Sequence, residues 1–192
     1  METRNSHGLE QFCASIQEPE GLSILDLAGA NQSTVTFITS LGHRIYSDDV
    51  LRTLESVYGT DDSSVYDPPH MAKFLEQSLE FPENHFDGAL VWDTLQFLPP
   101  QILQPAVDRL HRILKPSSCM LALFHAEENL AAVPACSYRI QNSRTIQLTP
   151  RGGTRKAAQH FNNRNLEKLF QDFASVKFFL TRDHLREVIV RR

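Results

Sequence analysis

Cysteine is scarce in this chain. It has three, Cys13, Cys119 and Cys136, and none sits in a C-x-x-C pair. The odd count, the spacing and the small or apolar neighbours of each predict reduced, mostly buried thiols and a cytoplasmic setting. Long hydrophobic runs are missing as well. Stretches such as "CMLALF" fall far short of the roughly 20 residues that a membrane span needs, so no membrane partner is expected. The opening "METRNSHGLEQF" has no apolar core of signal-peptide length. The eight histidines form no H-x-H or H-x-x-x-H pair, and no metal is expected. There is no G-x-S-x-G elbow, no phosphate-loop motif and no G-x-G-x-x-G fingerprint. A net charge of −4 argues against general coating of nucleic acid, while a local basic patch leaves nucleic acid open as a partner.

What is present belongs to an ordinary globular protein: 192 residues, 41% hydrophobic and 22% charged, without internal repeats. That length suits one domain over 1–192. Residues 1–20 hold a leading helix, with Leu9, Phe12, Cys13 and Ile16 at helical spacing. "LSILDLAG" then reads as a short buried strand, and "QSTVTFITSLG" as a helix with Gln32 or Ser33 near its start and Gly42 past its end. "HRIYSDD" is a second strand ending in two acids. "VLRTLESVYG" and "HMAKFLEQSLEF" read as helices separated by the turn-rich "TDDSSVYDPP". "FDGALVWD" is a strand, "PPQILQPAVDRLHRILKP" a long helix bounded by prolines, and "SCMLALFHA" another strand. After the less regular segment 126–160 comes the helix "NNRNLEKLFQDF", with Asn162 or Asn163 as its cap. The chain closes with two strands joined by a tight turn around Arg182–His184.

Strands alternating with helices imply an α/β fold with a parallel sheet and helices on both faces. The last two strands are too close in sequence for a parallel crossover and should pair antiparallel. That ending does not suit a nicotinamide oxidoreductase.

Taken together, these segments resemble a class I S-adenosylmethionine-dependent methyltransferase. "ILDLAGANQ" is similar to the family's D-x-G-x-G-x-G strand and loop. "GHRIYSDD" is similar to the second strand, whose acid contacts ribose hydroxyls; Asp49 follows Asp26 by 23 positions. "FDGALVWDTLQFL" resembles the fourth-strand motif FD-x-V-x-x-x-D-x-L-x-x-L. "LHRILKPSSCMLALF" resembles L-x-x-x-L-K-P-G-G-x-L, with Ser117 and Ser118 in place of the glycines. "FFLTRDHLREVIVRR" matches the closing hairpin. The resemblance implies a Rossmann-like, seven-stranded, mostly parallel sheet with an antiparallel final strand, S-adenosylmethionine as cofactor, and methyl transfer to an unidentified acceptor. An exposed final strand offers an edge for a homodimer.

The resemblance also assigns site residues. Asp26, Ala28, Gly29 and Ala30 form the cofactor loop, and Asp48 and Asp49 stand at the ribose position. Glu76 is the choice for the adenine amino group, and Trp92 and Asp93 end the fourth strand beside the cleft. Ala28, Ala30 and Gln32 occupy the three glycine positions, with Gly29 one place off. Two readings follow. Gly29 and a shifted turn restore the backbone path, with Asn31 as a tolerated left-handed residue; or the pocket is partly filled, leaving a methyltransferase-like binding module. The adjacent acids Asp48 and Asp49 likewise suit either a ribose diol or the start of the next helix. Asp93 and His125 are the catalytic candidates, since an imidazole titrates near pH 6.5, about the range a general base needs.

One segment stands out by charge. Residues 129–166 contain no Asp or Glu and six basic residues, leaving 13 basic against 23 acidic residues elsewhere. Within the lid-like insert 126–160, "TPRGGTRKAAQHFNNR" reads as a basic lid hinged at Gly152 and Gly153, with Arg151, Arg155 and Lys156 recognising an anionic group on the substrate. The alternative is a solvated loop that offsets the acidic body or docks on a second subunit.

Overall fold

The computed structural model describes residues 2–29, 31–59, 68–126, 132–181 and 185–192. The turn expected at Arg182–His184, most of the polar loop 60–69 and Ala30 lie outside the described residues.

The main sheet is built from β2 (Ser23–Asp26), β3 (Arg44–Ser47), β4 (Phe86–Trp92), β5 (Leu114–His125), β8 (Ser175–Leu180) and β9 (Leu185–Arg191). Their order is β3-β2-β4-β5-β9-β8. β3, β2, β4 and β5 run parallel, while β9 is antiparallel to both β5 and β8. Among the described residues the sheet therefore has six strands, one fewer than expected. The position before β4 is not a strand because residues 78–85 turn instead of extending. Leu79 and Asn84 adopt φ of 56° and 51°, and the Leu79 amide is held by Asp48 Oδ2 at 2.7 Å. The final strand β9 is also interior. The open edge on that side belongs to β8, where Leu180 is exposed.

Period-two alternation sorts the strand residues between two faces. Leu25, Ala89, Val91, Met120, Phe124 and Val188 join one core cluster. It is covered by α3 (Val50–Tyr58), α4 (Pro68–Gln77), α5 (Pro100–Ile113) and α6 (Asn163–Leu169). The alternate residues Ile24, Leu90, Trp92, Cys119, Leu121 and Ile189 face the opposite cluster, beneath α1 (His7–Ser15) and α2 (Gln32–Ser40). α1 lies close because Gly8 has no side chain: a Cβ there would sit 2.8 Å from Leu121 Cδ1. Gly8 N donates to Glu187 Oε2 at 2.6 Å, and Glu187, fully buried on β9, is paired with Arg4 at 3.1 Å.

The segment 126–160 differs most from expectation. In place of an irregular lid, β6 (Val133–Asn142) and β7 (Thr145–Arg155) form an antiparallel hairpin. β1 (Glu2–Asn5), an element not expected from the sequence, pairs with β7 to complete a three-stranded sheet in the order β1-β7-β6. Gly152 and Gly153 take positive φ near the end of β7. The reason for the hairpin is alternation: Tyr138, Ile140 and Ile146 are buried, while Arg139, Gln141 and Arg144 face outward. Tyr138, Ile140 and Ile146 thereby extend the α1–α2 core. Among the described residues, no helix is long and apolar enough to cross a membrane.

Candidate functional site

In an open parallel sheet a ligand sits beyond the carboxyl ends of the strands, where the strand order reverses. Here that point lies between β2 and β4. Its floor is tied together. Asp26 ends β2 fully buried, and its Oδ1 accepts from Ala28 N at 2.9 Å and from Trp92 Nε1 at 3.2 Å. Oδ2 has no hydrogen-bond partner among the described residues. Burial raises the Asp26 carboxyl above its ordinary value, against the opposing pull of those two donors. Trp92 holds φ at 55°, a conformation that a bulky residue adopts only at a cost. It is kept there by Asp26 and by Tyr138, whose ring stacks on the indole at 5.2 Å and 4°. Asp26 and Trp92 thus support the cleft from beneath.

The rim is made by the loop after β2. Gly29 takes φ of 75° and passes so close to Asp49 that a Cβ would lie 3.3 Å from Asp49 Oδ2. Among the described residues of the loop, Gly29 carries the left-handed turn. Asn31 is extended at φ −111° and serves as the cap of α2, accepting from Thr34 N; neither Gln32 nor Ser33 has that role. Asp49 caps α3 through Oδ1, which accepts from Arg52 N at 3.1 Å, leaving Oδ2 toward Gly29. Capping and an approach to the cleft are thus combined in one carboxylate. Asp48 turns away to the Leu79 amide, and burial raises its carboxyl as well. Glu76 is exposed on α4 and does not line the cleft.

The β6–β7 hairpin forms the roof. Asn31 Nδ2 donates to Tyr138 O at 2.7 Å, Ser33 Oγ to Ile140 O at 2.7 Å, and Ile140 N to Thr34 Oγ1 at 3.2 Å. Arg151 Nη2 reaches Ala28 O at 3.2 Å. Arg155 spans the opening, with Glu55 at 3.0 Å and the Phe97 ring 5.9 Å away. Between roof and floor lies a narrow cleft, with about 30 Å³ of free space, bounded by Leu27, Ala28, Asp49, Leu51, Phe97, Arg151 and Arg155, with Asp93 and Cys136 at its inner end. Lys156 is exposed and stands outside it.

Asp93 receives the Tyr138 hydroxyl at 2.8 Å and faces His125 Nε2 at 3.9 Å. Burial, reinforced by Asp93, pushes the Tyr138 phenol well up, so it remains a donor. Cys136 is raised by burial and by Asp93 and stays a thiol. His125 itself faces a second cavity behind Cys136 and Tyr138. Ala28, Gly29, Asp49, Asp93, Arg151 and Arg155 are brought together, while Glu76 and Lys156 lie apart. Tyr138, Cys136 and Gln96 were not singled out in the sequence. Gln96 is buried and accepts from His125 N at 2.7 Å. A signal existed for Tyr138: Cys136, Tyr138 and Ile140 alternate up to a turn at Ser143–Arg144, and Ile146 and Leu148 alternate after it.

No protein-family model matches the chain, and no curated protein matches it. Its backbone is similar to solved methyltransferases. A SAM-dependent methyltransferase from Methanosarcina mazei aligns over 92% of this chain and 94% of its own, at 19% identity and a TM-score of 0.53. One from Archaeoglobus fulgidus aligns over 96% and 91%, at 11% identity and a TM-score of 0.56. The 1,6-didemethyltoxoflavin-N1-methyltransferase of Burkholderia thailandensis, with 1,6-didemethyltoxoflavin and S-adenosylhomocysteine bound, aligns over 96% of this chain and 76% of its own, at 14% identity and a TM-score of 0.53. The chain has the fold of the class I SAM-dependent methyltransferases.

The cleft residues fit S-adenosylmethionine. The group combines a diol, a carboxylate and a flat base. The cleft offers two carboxylates, two guanidinium groups and an apolar wall, so its chemistry suits the group, while its free space of about 30 Å³ is that of a water or two, and the roof must move off the floor for the cofactor to enter.

Proposed function

We propose that this protein transfers a methyl group from S-adenosylmethionine to a small acceptor. The observation that carries the reading is Asp49 Oδ2 beside Gly29, at a place where any side chain on residue 29 would crowd the carboxylate. Gly29 thereby supplies a left-handed turn beside the acid, at a loop where related sequences use several glycines. Asp49 accepts from the ribose hydroxyls while its other oxygen caps α3. Leu27, Leu51 and Phe97 wall the base, and Arg151, beside the first loop, balances the cofactor carboxylate. Arg151 and Arg155 thus serve the cofactor in this reading, not an anionic substrate. When bound, the sulfonium supplies an activated methyl whose leaving group is a neutral thioether. The chain's own part is to align the reactants and keep water out, through the hairpin roof and the Asp26–Trp92 floor on which Tyr138 of the roof stacks.

Calorimetric titration with S-adenosylmethionine and S-adenosylhomocysteine tests this. Micromolar binding is expected, weakened at least tenfold in Asp49→Ala. No heat of binding at millimolar cofactor would sink the reading and leave a methyltransferase fold without its cofactor.

A further inference from the structure

Behind the cofactor cleft lies a second cavity, of about 300 Å³ and open to solvent, between the carboxyl end of β5, the start of β9 and the three-stranded sheet. Its sides are apolar: Pro134, Leu148, Pro150 and Leu185. Cys136 borders both spaces. Asp93 lines the cleft and His125 lines the cavity, so their 3.9 Å approach crosses the partition. Resting on the cofactor reading above, we infer that this cavity holds the methyl acceptor, and that the acceptor is a neutral, mostly apolar molecule with one weakly acidic hydroxyl or ring N–H directed at His125 Nε2.

Two observations choose this chemistry. First, His125 Nε2 is buried and has no hydrogen-bond partner among the described residues. With the other ring nitrogen protonated, it presents a lone pair to a donor. A proton leaving the acceptor goes to Nε2, and the imidazolium so formed faces the Asp93 carboxylate. Tyr138, donating to that carboxylate, fixes its orientation. Second, the cavity holds no uncompensated cation. Arg4 is its one basic wall residue among those described, and its guanidinium is paired with Glu187, which is wholly buried. Glu2 adds an acid to the lining. An anionic acceptor would meet Glu2 in the lining, with the Asp93 carboxylate beyond the partition and no unpaired cation to balance them, whereas a neutral one is received by the apolar walls.

Three aromatic probes separate the alternatives: 4-ethylphenol, its carboxylate analogue 4-ethylbenzoate, and 4-ethylanisole, which lacks the proton. Each is titrated into the full chain with ring-proton NMR of the histidines, with S-adenosylhomocysteine present and absent. The phenol should shift the His125 signals and bind more tightly than the other two. His125→Gln should weaken the phenol roughly tenfold, about one hydrogen bond, and leave the anisole unchanged. Leu148→Trp, which fills the cavity, should abolish phenol binding while S-adenosylhomocysteine still binds. Preference for the benzoate, equal binding of phenol and anisole, unchanged phenol binding in Leu148→Trp, or no shift by any probe would each overturn the inference. The cofactor reading stands or falls separately: phenol binding without S-adenosylhomocysteine binding would keep the cavity and remove the cofactor, and the converse result would remove only the cavity.

Discussion

Asp26 shows how one residue can resemble a ligand contact yet serve as a structural tie. Both of its hydrogen bonds go to Oδ1, from Ala28 and Trp92, and the side chain is wholly buried. Its carboxyl is raised by that burial. With the folded value above the unfolded one, the native state holds more protons between the two. This contribution to stability is full below the ordinary aspartate range and is lost as pH rises through the raised value. Asp26→Asn keeps an oxygen for both donors and removes the titration. In urea titrations across this window, the midpoint of the variant should gain on that of the wild type as pH increases. Midpoints that run parallel would show that Asp26 does not titrate on folding. The resemblance to the family put Asp26, Ala28, Gly29, Asp49 and Asp93 at strand ends and in the loops after them, which are local features that a motif can mark. It did not reveal that Asp48 would bind the Leu79 amide or that Glu76 would face solvent, since each depends on a segment distant in sequence.

At the scale of elements, the junction between α5 and β5 shows what a missing glycine costs. The helix stops at Ile113, earlier than its apolar stripe and Pro116 suggest, and β5 begins at Leu114. Ser117 then takes φ of 67°, at one of the two places where the related motif has glycine. Its amide donates to Arg192 O at 2.7 Å, which fixes this turn against the end of β9. The left-handed conformation costs an L-residue about 1–2 kcal/mol, and glycine's extra chain entropy returns about 0.5–1 of that. Ser117→Gly should therefore raise the unfolding free energy by about 0.5–1 kcal/mol without altering cofactor affinity, as read from denaturant midpoints and calorimetry. A lower midpoint would mean that the serine makes a compensating contact. The β6–β7 hairpin shows the complementary difficulty. Its alternation is visible between Cys136 and Leu148, but the run of basic residues and the two glycines draw attention to a loop.

For the whole molecule, the cleft and the cavity exist only because two sheets meet. The hairpin is anchored to the first turn of α2 by Asn31, Ser33 and Thr34, and across the cleft by Arg151 and Arg155. A cofactor held between roof and floor binds the native state alone. At a hundred times its dissociation constant, S-adenosylhomocysteine should stabilise the fold by about 2.7 kcal/mol, or roughly 5–10 °C in melting temperature for a chain of this size. Glu55→Gln should leave this shift nearly intact, because the Arg155–Glu55 pair is half-exposed and such pairs contribute at most about 1 kcal/mol. A thermal scan of both proteins with and without ligand measures this, and loss of the shift in Glu55→Gln would make that ion pair the latch of the roof.

The sequence by itself determined the alternation of strands and helices, the antiparallel close and the loop turning on Gly29. Periodicity, capping and turn chemistry act over a few residues and can be read along the chain. Only the tertiary structure decided that the main sheet has six strands, that a second sheet roofs the cleft, and that Tyr138 locks Trp92 and Asp93 in place. Those outcomes depend on which buried surfaces and unpaired polar groups meet across long separations, such as the 107 residues between Asn31 and Tyr138.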